Sequence, residues 1–215
     1  LPPGQKALHS TYVFKTKRDK NGALDKYKAR LCVMGNRQRS GIDVGETFAP
    51  TLNYEALRIL LALALSEDLV MEHIDVKCAF LNGTVEEMVY MHVPEGLKHQ
   101  YAPGTILRLV VSLYGLKQAP RCWNKKLCDT LAELGPQPIS ADPCIFLRMY
   151  PNGDKLIVPA FVDDLLPMAT TQEILDEFKE QIGKKFKTTN LGAVSFFLGV
   201  AIQRSKDELR ISQEA

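Results

Sequence analysis

The sequence lacks any apolar stretch long enough to span a bilayer. Its longest run, Ile59 to Leu65, falls far short of the ~20 residues a transmembrane helix needs. No N-terminal signal pattern, internal repeat or low-complexity tract is visible, and the chain opens on Leu1-Pro2-Pro3-Gly4 rather than Met, so a piece of a longer product is expected. The five cysteines include no CxxC pair. An odd count without metal spacing points to a reducing compartment and ordinary thiols. His9, His73, His92 and His99 form no ligand motif and are expected on the surface or satisfied in a core. Disorder is excluded by composition, with 46% hydrophobic and 24% charged residues. A chain of 215 residues buries roughly 70% of its unfolded surface.

Net charge is only +2, but it is unevenly placed. Residues 1–40 carry 10 Lys/Arg against 2 acids, and residues 41–106 carry 3 against 10. A basic arm beside an acidic middle suits a polyanion binder with a metal site, or simply a solvated basic hairpin.

Periodicity predicts strands at Tyr12–Lys15 and Tyr27–Val33 about a Lys20-Asn21-Gly22 turn. Asn53 is placed to cap a helix running to about Glu67, with Leu57, Leu60, Leu61 and Leu65 at helical spacing. Strands are expected at Met71–Val76, Glu87–Val93 and Leu107–Tyr114. A helix follows from Pro120 to Leu134 and stops at Gly135. A hairpin joins 144–149 to 155–162, and Thr170-x-x-Glu173 reads as a capping box for a helix to about Phe186. Ser195–Gln203 and Glu208–Ile211 read as a last hairpin. The sum is an α+β fold, an antiparallel sheet carrying helices mostly on one face, with no clear linker.

Asp163-Asp164 is weak evidence alone: with 12 Asp in the chain, chance yields about 0.7 such pairs. Context says more, because the pair lies between the apolar runs Leu156–Val162 and Leu165-Leu166. Ionised carboxylates there are costly unless paired or metal-bound. Asp75 likewise ends the run from Met71. If those strand ends meet, they make a hard oxygen site of the kind Mg²⁺ prefers. The bland alternative is two unrelated acids facing water.

The segments His73-Ile74-Asp75-Val76-Lys77-Cys78-Ala79-Phe80-Leu81-Asn82-Gly83, Ser112-Leu113-Tyr114-Gly115-Leu116-Lys117-Gln118-Ala119-Pro120-Arg121 with Trp123, and Phe161-Val162-Asp163-Asp164-Leu165-Leu166 resemble successive motifs of copia-type (pseudovirus) retrotransposon reverse transcriptases. Tyr27–Leu31, Glu46–Pro50, Asp142-Pro143 and Phe197-Leu198-Gly199 extend the resemblance over almost the whole chain. It implies a right-hand polymerase: 1–52 mainly fingers, 53–190 palm with a fingers insertion, and 191–215 the start of a primer-grip and thumb junction. It implies metal carboxylates at Asp75, Asp163 and Asp164, serving two Mg²⁺ ions or Mn²⁺. Val76 would approach the nucleotide by its backbone, Phe80 would be the steric gate against a 2′-hydroxyl, and Gln118 would support the nucleotide. Arg30, whose planar fork suits phosphate, would clamp the triphosphate. Lys17 would assist, although a solvated hairpin charge is its simpler reading. Leu198 and Gly199 would be the primer grip, Trp123 a core residue, and Glu86-Glu87 solvated acids.

The implied reaction is RNA- and DNA-directed DNA synthesis from dNTPs on a primed template. The implied partners are RNase H and integrase regions of the same polyprotein, with no membrane. The implied setting is a cytoplasmic virus-like particle with nuclear entry. Departures from the family pattern are Phe161 where Tyr is usual, a segment near Tyr12 without the usual Trp, Pro159 inside a strand, and Pro167 where a β-branched residue is usual. They keep open a decayed, nucleic-acid-binding remnant. A two-metal nuclease or cyclase ranks last, for want of a hydrolytic base or a cyclase recognition set.

Overall fold

The computed structural model describes residues 1–18 and 22–213. Lys20 and Asn21 of the expected turn lie outside the described residues. In chain order the elements are β1 (Ala7–Leu8), β2 (Ser10–Arg18), β3 (Leu24–Val33), α1 (Tyr54–Ser66), β4 (Val70–Val76), β5 (Tyr90–His92), β6 (Ile106–Arg108), α2 (Ala119–Leu134), β7 (Gln137–Pro138), β8 (Ile145–Met149), β9 (Lys155–Phe161), β10 (Asp164–Leu165), β11 (Met168–Ala169), α3 (Gln172–Lys185), β12 (Thr188–Ala193), β13 (Phe196–Phe197), β14 (Val200–Arg204) and β15 (Leu209–Ser212). The described residues thus form a mixed α/β protein with several sheets and few helices. None of those helices is long and apolar enough to cross a membrane.

Two compact units emerge, Leu1–Ala49 with Phe80–Lys125, and Pro50–Ala79 with Lys126–Ala215. In the first, β2 and β3 form an antiparallel ribbon, and β5 pairs with β1 and β6 in a separate sheet. Its core gathers Leu8, Val33, Val89, Met91 and Leu116. In the second, the strand order is β10-β4-β11-β9-β8-β7, with β12 also on β4. Leu57 and Leu61 of α1 pack with Leu69, Ile157, Phe197 and Ile202 in the core of that unit.

Side-chain caps start two of the helices. The Asn53 side chain accepts from the Glu55 amide and starts α1. Helix α3 is capped one residue later than the sequence pattern suggests. Thr171 accepts from the Ile174 amide, while the Thr170 hydroxyl accepts from Lys155 N across the sheet. The strand expected through Tyr114 stops at Arg108. Beyond it the backbone is held by single bonds, Val85 N to Val110 O and Ser112 N to Gly83 O, rather than a ladder.

Pro159 and Pro167 sit in the interior of the large sheet, where proline is rare. Leu166 N donates to Pro159 O, and Glu72 N donates to Pro167 O. An antiparallel pair of this kind normally exchanges two bonds. Each proline withholds the return bond, one toward β9's partner and one toward β4. The registers on either side, Leu165 opposite Ala160 and Met168 opposite Ile157, still agree without a slip. The segment 164–169 is therefore one strand that loses its ladder only at 166–167 and splits into β10 and β11. Pro167→Val or Pro159→Val should restore a bond and raise stability by about 1 kcal/mol, read as a higher denaturant midpoint with an unchanged slope.

Candidate active site

Asp75 lies near the end of β4, directly opposite Asp164 of β10 on one edge and Thr189 of β12 on the other. Cross-strand partners share a face, so the two carboxylates are neighbours. The link between β9 and β10 is a two-residue turn, Val162-Asp163, with Phe161 opposite Asp164. Val162 has φ +54°, a conformation that a β-branched residue adopts only under strain. The turn is latched by the Val76 amide, which donates to Asp163 O at 2.7 Å. Val76 is buried and its N–H is committed to that bond.

The structure therefore brings Asp75, Asp163 and Asp164 to one place in the backbone. Among the described residues, however, no three acidic, His or Cys side chains close into a metal cage. Asp163 is exposed, whereas Asp75 and Asp164 are half-buried. One oxygen of Asp164 is already engaged, with His73 Nε2 at 2.7 Å from Oδ1. The donor set fits Mg²⁺ in kind: hard carboxylate oxygens, too few to enclose an ion, suit a cation that takes its remaining ligands from water and substrate phosphates.

Beneath this edge Glu72 ties three elements together. It accepts from Lys179 Nζ at 2.9 and 2.8 Å, Asn190 Nδ2 at 2.6 Å and Gln172 Nε2 at 3.0 Å. Burial works against its charge, but those hydrogen bonds prevail and hold the carboxyl below its ordinary value.

The other sequence-selected residues belong to the first unit or to the β13–β14 turn. Ribbon register puts Val13 opposite Arg30, Lys15 opposite Lys28 and Lys17 opposite Lys26, on one face. Tyr12, Phe14 and Tyr27 share the other face, where Phe14 and Tyr27 are each 77% exposed. Arg30 has its guanidinium carbon 5.4 Å from the centre of the Tyr114 ring, and its buried Nε lacks a hydrogen-bond partner. Phe80 meets the same ring edge-on, with centroids 5.3 Å apart.

Gln118 is only 1% exposed, and its amide is spent inside the protein. It accepts from Gln38 Nε2 and donates to Asp43 O and Glu87 Oε2. Glu87, expected to be solvated, is half-buried and also accepts from Gly45 N. Glu86 is exposed and pairs with Lys125. Trp123 is a core residue, 2% exposed. Leu198 and Gly199 form a two-residue turn with φ +50° and +78°, the type I′ pattern that suits a tight hairpin.

Residues 1–215 match the family model described as reverse transcriptase (RNA-dependent DNA polymerase). The chain belongs to the reverse transcriptase family. It is 37% identical over its full length to the retrovirus-related Pol polyprotein from transposon TNT 1-94 of Nicotiana tabacum, covering 16% of that protein. It is 32% identical over 99% of its length to the Pol polyprotein from transposon RE2 of Arabidopsis thaliana, covering 14% of it. A putative transposon Ty5-1 protein of Saccharomyces cerevisiae is 34% identical over 62% of the chain. The chain thus spans about a sixth of the length of the plant relatives.

Two residues of this reverse transcriptase domain that contact the expected site were not singled out from sequence. His73 carries a signal in hindsight, since it lies two residues before Asp75 and so shares its face of β4. Tyr114 carries none beyond membership of a motif.

Asp75→Asn should stabilise the domain by about 0.5–1 kcal/mol, because it removes one of two like charges held directly opposite. A higher melting temperature checks this. Glu72 contributes stability that is present above its ordinary carboxylate range and is lost as pH falls through its lowered folded value. The stability gap between the native chain and Glu72→Gln should therefore shrink below about pH 4.5, as followed by acid titration of denaturant melts.

Proposed function

We propose that this domain is the fingers and palm of an RNA- and DNA-directed DNA polymerase that joins dNTPs to a primer 3′-hydroxyl. The observation that carries the reading is the direct pairing of Asp75 with Asp164, latched through Asp163 to Val76. In this reading the unit of residues 1–49 and 80–125 is fingers, and the unit of residues 50–79 and 126–215 is palm. Its setting is a Pol polyprotein that also carries RNase H and integrase regions, assembled in a cytoplasmic virus-like particle.

Asp75, Asp163 and Asp164 would hold Mg²⁺ or Mn²⁺, which supplies activation of the attacking hydroxyl and charge neutralisation at the leaving pyrophosphate. The chain's own part is positioning, with no covalent intermediate. Arg30 presents a planar donor fork to phosphate oxygens. Lys15, Lys17, Lys26 and Lys28 share its face and add a field that attracts polyanions. Phe80 is the gate against a 2′-hydroxyl, and the Leu198-Gly199 turn is the primer grip. Gln118 acts from behind, through Gln38, Asp43 and Glu87, to fix the 38–43 loop.

Asp75→Asn and Asp163→Asn should each abolish primer extension on a homopolymer template with Mg²⁺ or Mn²⁺ while template binding stays within about twofold. Extension at native rates by either variant would remove the assignment. Salt-dependent template binding with no extension by the native polypeptide would leave the remnant reading instead.

A further inference from the structure

His73 shares a face of β4 with Asp75, two residues further on. Register puts Asp164 opposite Asp75 and Met168 opposite Met71, which leaves Leu166 across from His73. Asp164 is therefore the diagonal neighbour of His73, a spacing that a long side chain can bridge. The imidazole does so, with Nε2 at 2.7 Å from Asp164 Oδ1. An ionised carboxylate has no proton to give, so Nε2–H is the donor. On the other edge of β4 the partner of His73 is Gly192, which brings no side chain to the contact.

The imidazole has a second fixed contact. It meets the Phe197 ring edge-on, with centroids 5.3 Å apart and planes at 79°, a favoured arrangement for aromatic pairs. Phe197 is buried, ends β13 and directly precedes the Leu198-Gly199 turn. Phe197, Leu166 and Met168 belong to one core cluster. The His73 side chain is 14% exposed and that of Asp164 is 35% exposed. The donor is thus seated on packed apolar groups, while the carboxylate it holds stands at the rim. All of these residues lie in the same compact unit.

We propose that His73 is a positioning residue for the acidic centre: its Nε2–H holds the Asp164 carboxylate, and its ring ties that carboxylate to the hairpin of the 198–199 turn. A carboxylate at the rim of a site is otherwise a free rotor, and ordering it would count against the binding of an ion. Here the hydrogen bond orders it during folding, before any cation arrives. His73 acts through Asp164 and is not itself a ligand. The inference rests on the polymerase reading for its metal, and it adds the side chain that sets how firmly that metal is held.

The test uses the complete polypeptide that carries this chain, native and with His73→Gln, His73→Phe or His73→Leu, each checked for a native-like melting curve. Gln keeps an N–H donor at similar reach, Phe keeps a ring against Phe197 without the donor, and Leu keeps neither. Mn²⁺ binding is followed without dNTP by loss of the free-ion EPR signal. Primer extension is followed against Mg²⁺ and dNTP concentration. His73→Phe and His73→Leu should each weaken Mn²⁺ binding about tenfold. The Mg²⁺ concentration for half-maximal extension should rise in step, with the dNTP KM within about twofold of native. His73→Gln should stay within about threefold of native in both metal readouts. If His73→Phe fails the melting check, His73→Leu carries the same comparison. In an Asp164→Asn background, His73→Phe should change Mn²⁺ binding by less than about twofold, because the group it acts through is altered. Mn²⁺ affinity that is unchanged or raised in the Phe and Leu variants overturns the inference. So does a Gln variant as weak as the Leu variant, or a raised dNTP KM with metal dependence unmoved. A native polypeptide that binds Mn²⁺ but extends no primer sinks the polymerase reading alone, and the Mn²⁺ titration still decides this inference. A native polypeptide that binds no Mn²⁺ overturns both.

Discussion

Strand β4 is hydrogen-bonded along both edges, to β10 and β11 on one side and to β12 on the other. The acidic centre exists because of that double pairing. The outer partner places Thr189 opposite Asp75, and the inner partner delivers Asp164 opposite it. The Val76 amide then seizes the Asp163 carbonyl and sets the tip of the hairpin. Loss of either edge would leave two acids on chain segments nearly ninety positions apart in sequence with nothing to hold them at one site.

The arrangement works against local stability at several points. Two like charges face each other, a valine occupies a left-handed conformation, and two prolines withhold ladder bonds within a few residues of the acids. Compensation lies close by. Glu72 on the same strand binds Lys179 and Gln172 of α3 and Asn190 of β12. Leu165, Leu166 and Met168 are fully buried. Concentrated strain surrounded by dense packing and polar anchoring is what a preorganised charged site requires.

Elements with a strong period or a clear cap could be read from the sequence: α1 from Asn53, β4 from its apolar run, and the hairpin leading to Asp163. Strand β12 was not legible. Its sequence, Thr-Thr-Asn-Leu-Gly-Ala, carries Asn190 and a Gly192 at φ +76°, where the register shifts at a bulge. Those residues look like a turn, and only pairing with β4 makes them a strand. The acids were legible because charge inside an apolar run needs a reason. The Gln118 network and the Tyr114 cluster were not, because both depend on contacts between segments distant in sequence, such as Gln38 with Gln118 and Arg30 with Tyr114. Motif membership marked these residues as important without saying whether each faces a ligand or a neighbour.

Asp75 lies on the strand of residues 70–76, and the strands that frame it come from residues 164–169 and 188–193. Contacts so far apart close slowly, since loop entropy must be spent before they form. During synthesis from the N-terminus, Asp75 leaves the ribosome long before either flanking strand exists. A ribosome that stalls between about residues 80 and 160 releases a product with the basic ribbon and with an Asp75 that neither flanking strand frames. Such fragments would keep the basic face of the ribbon and lack the paired acids.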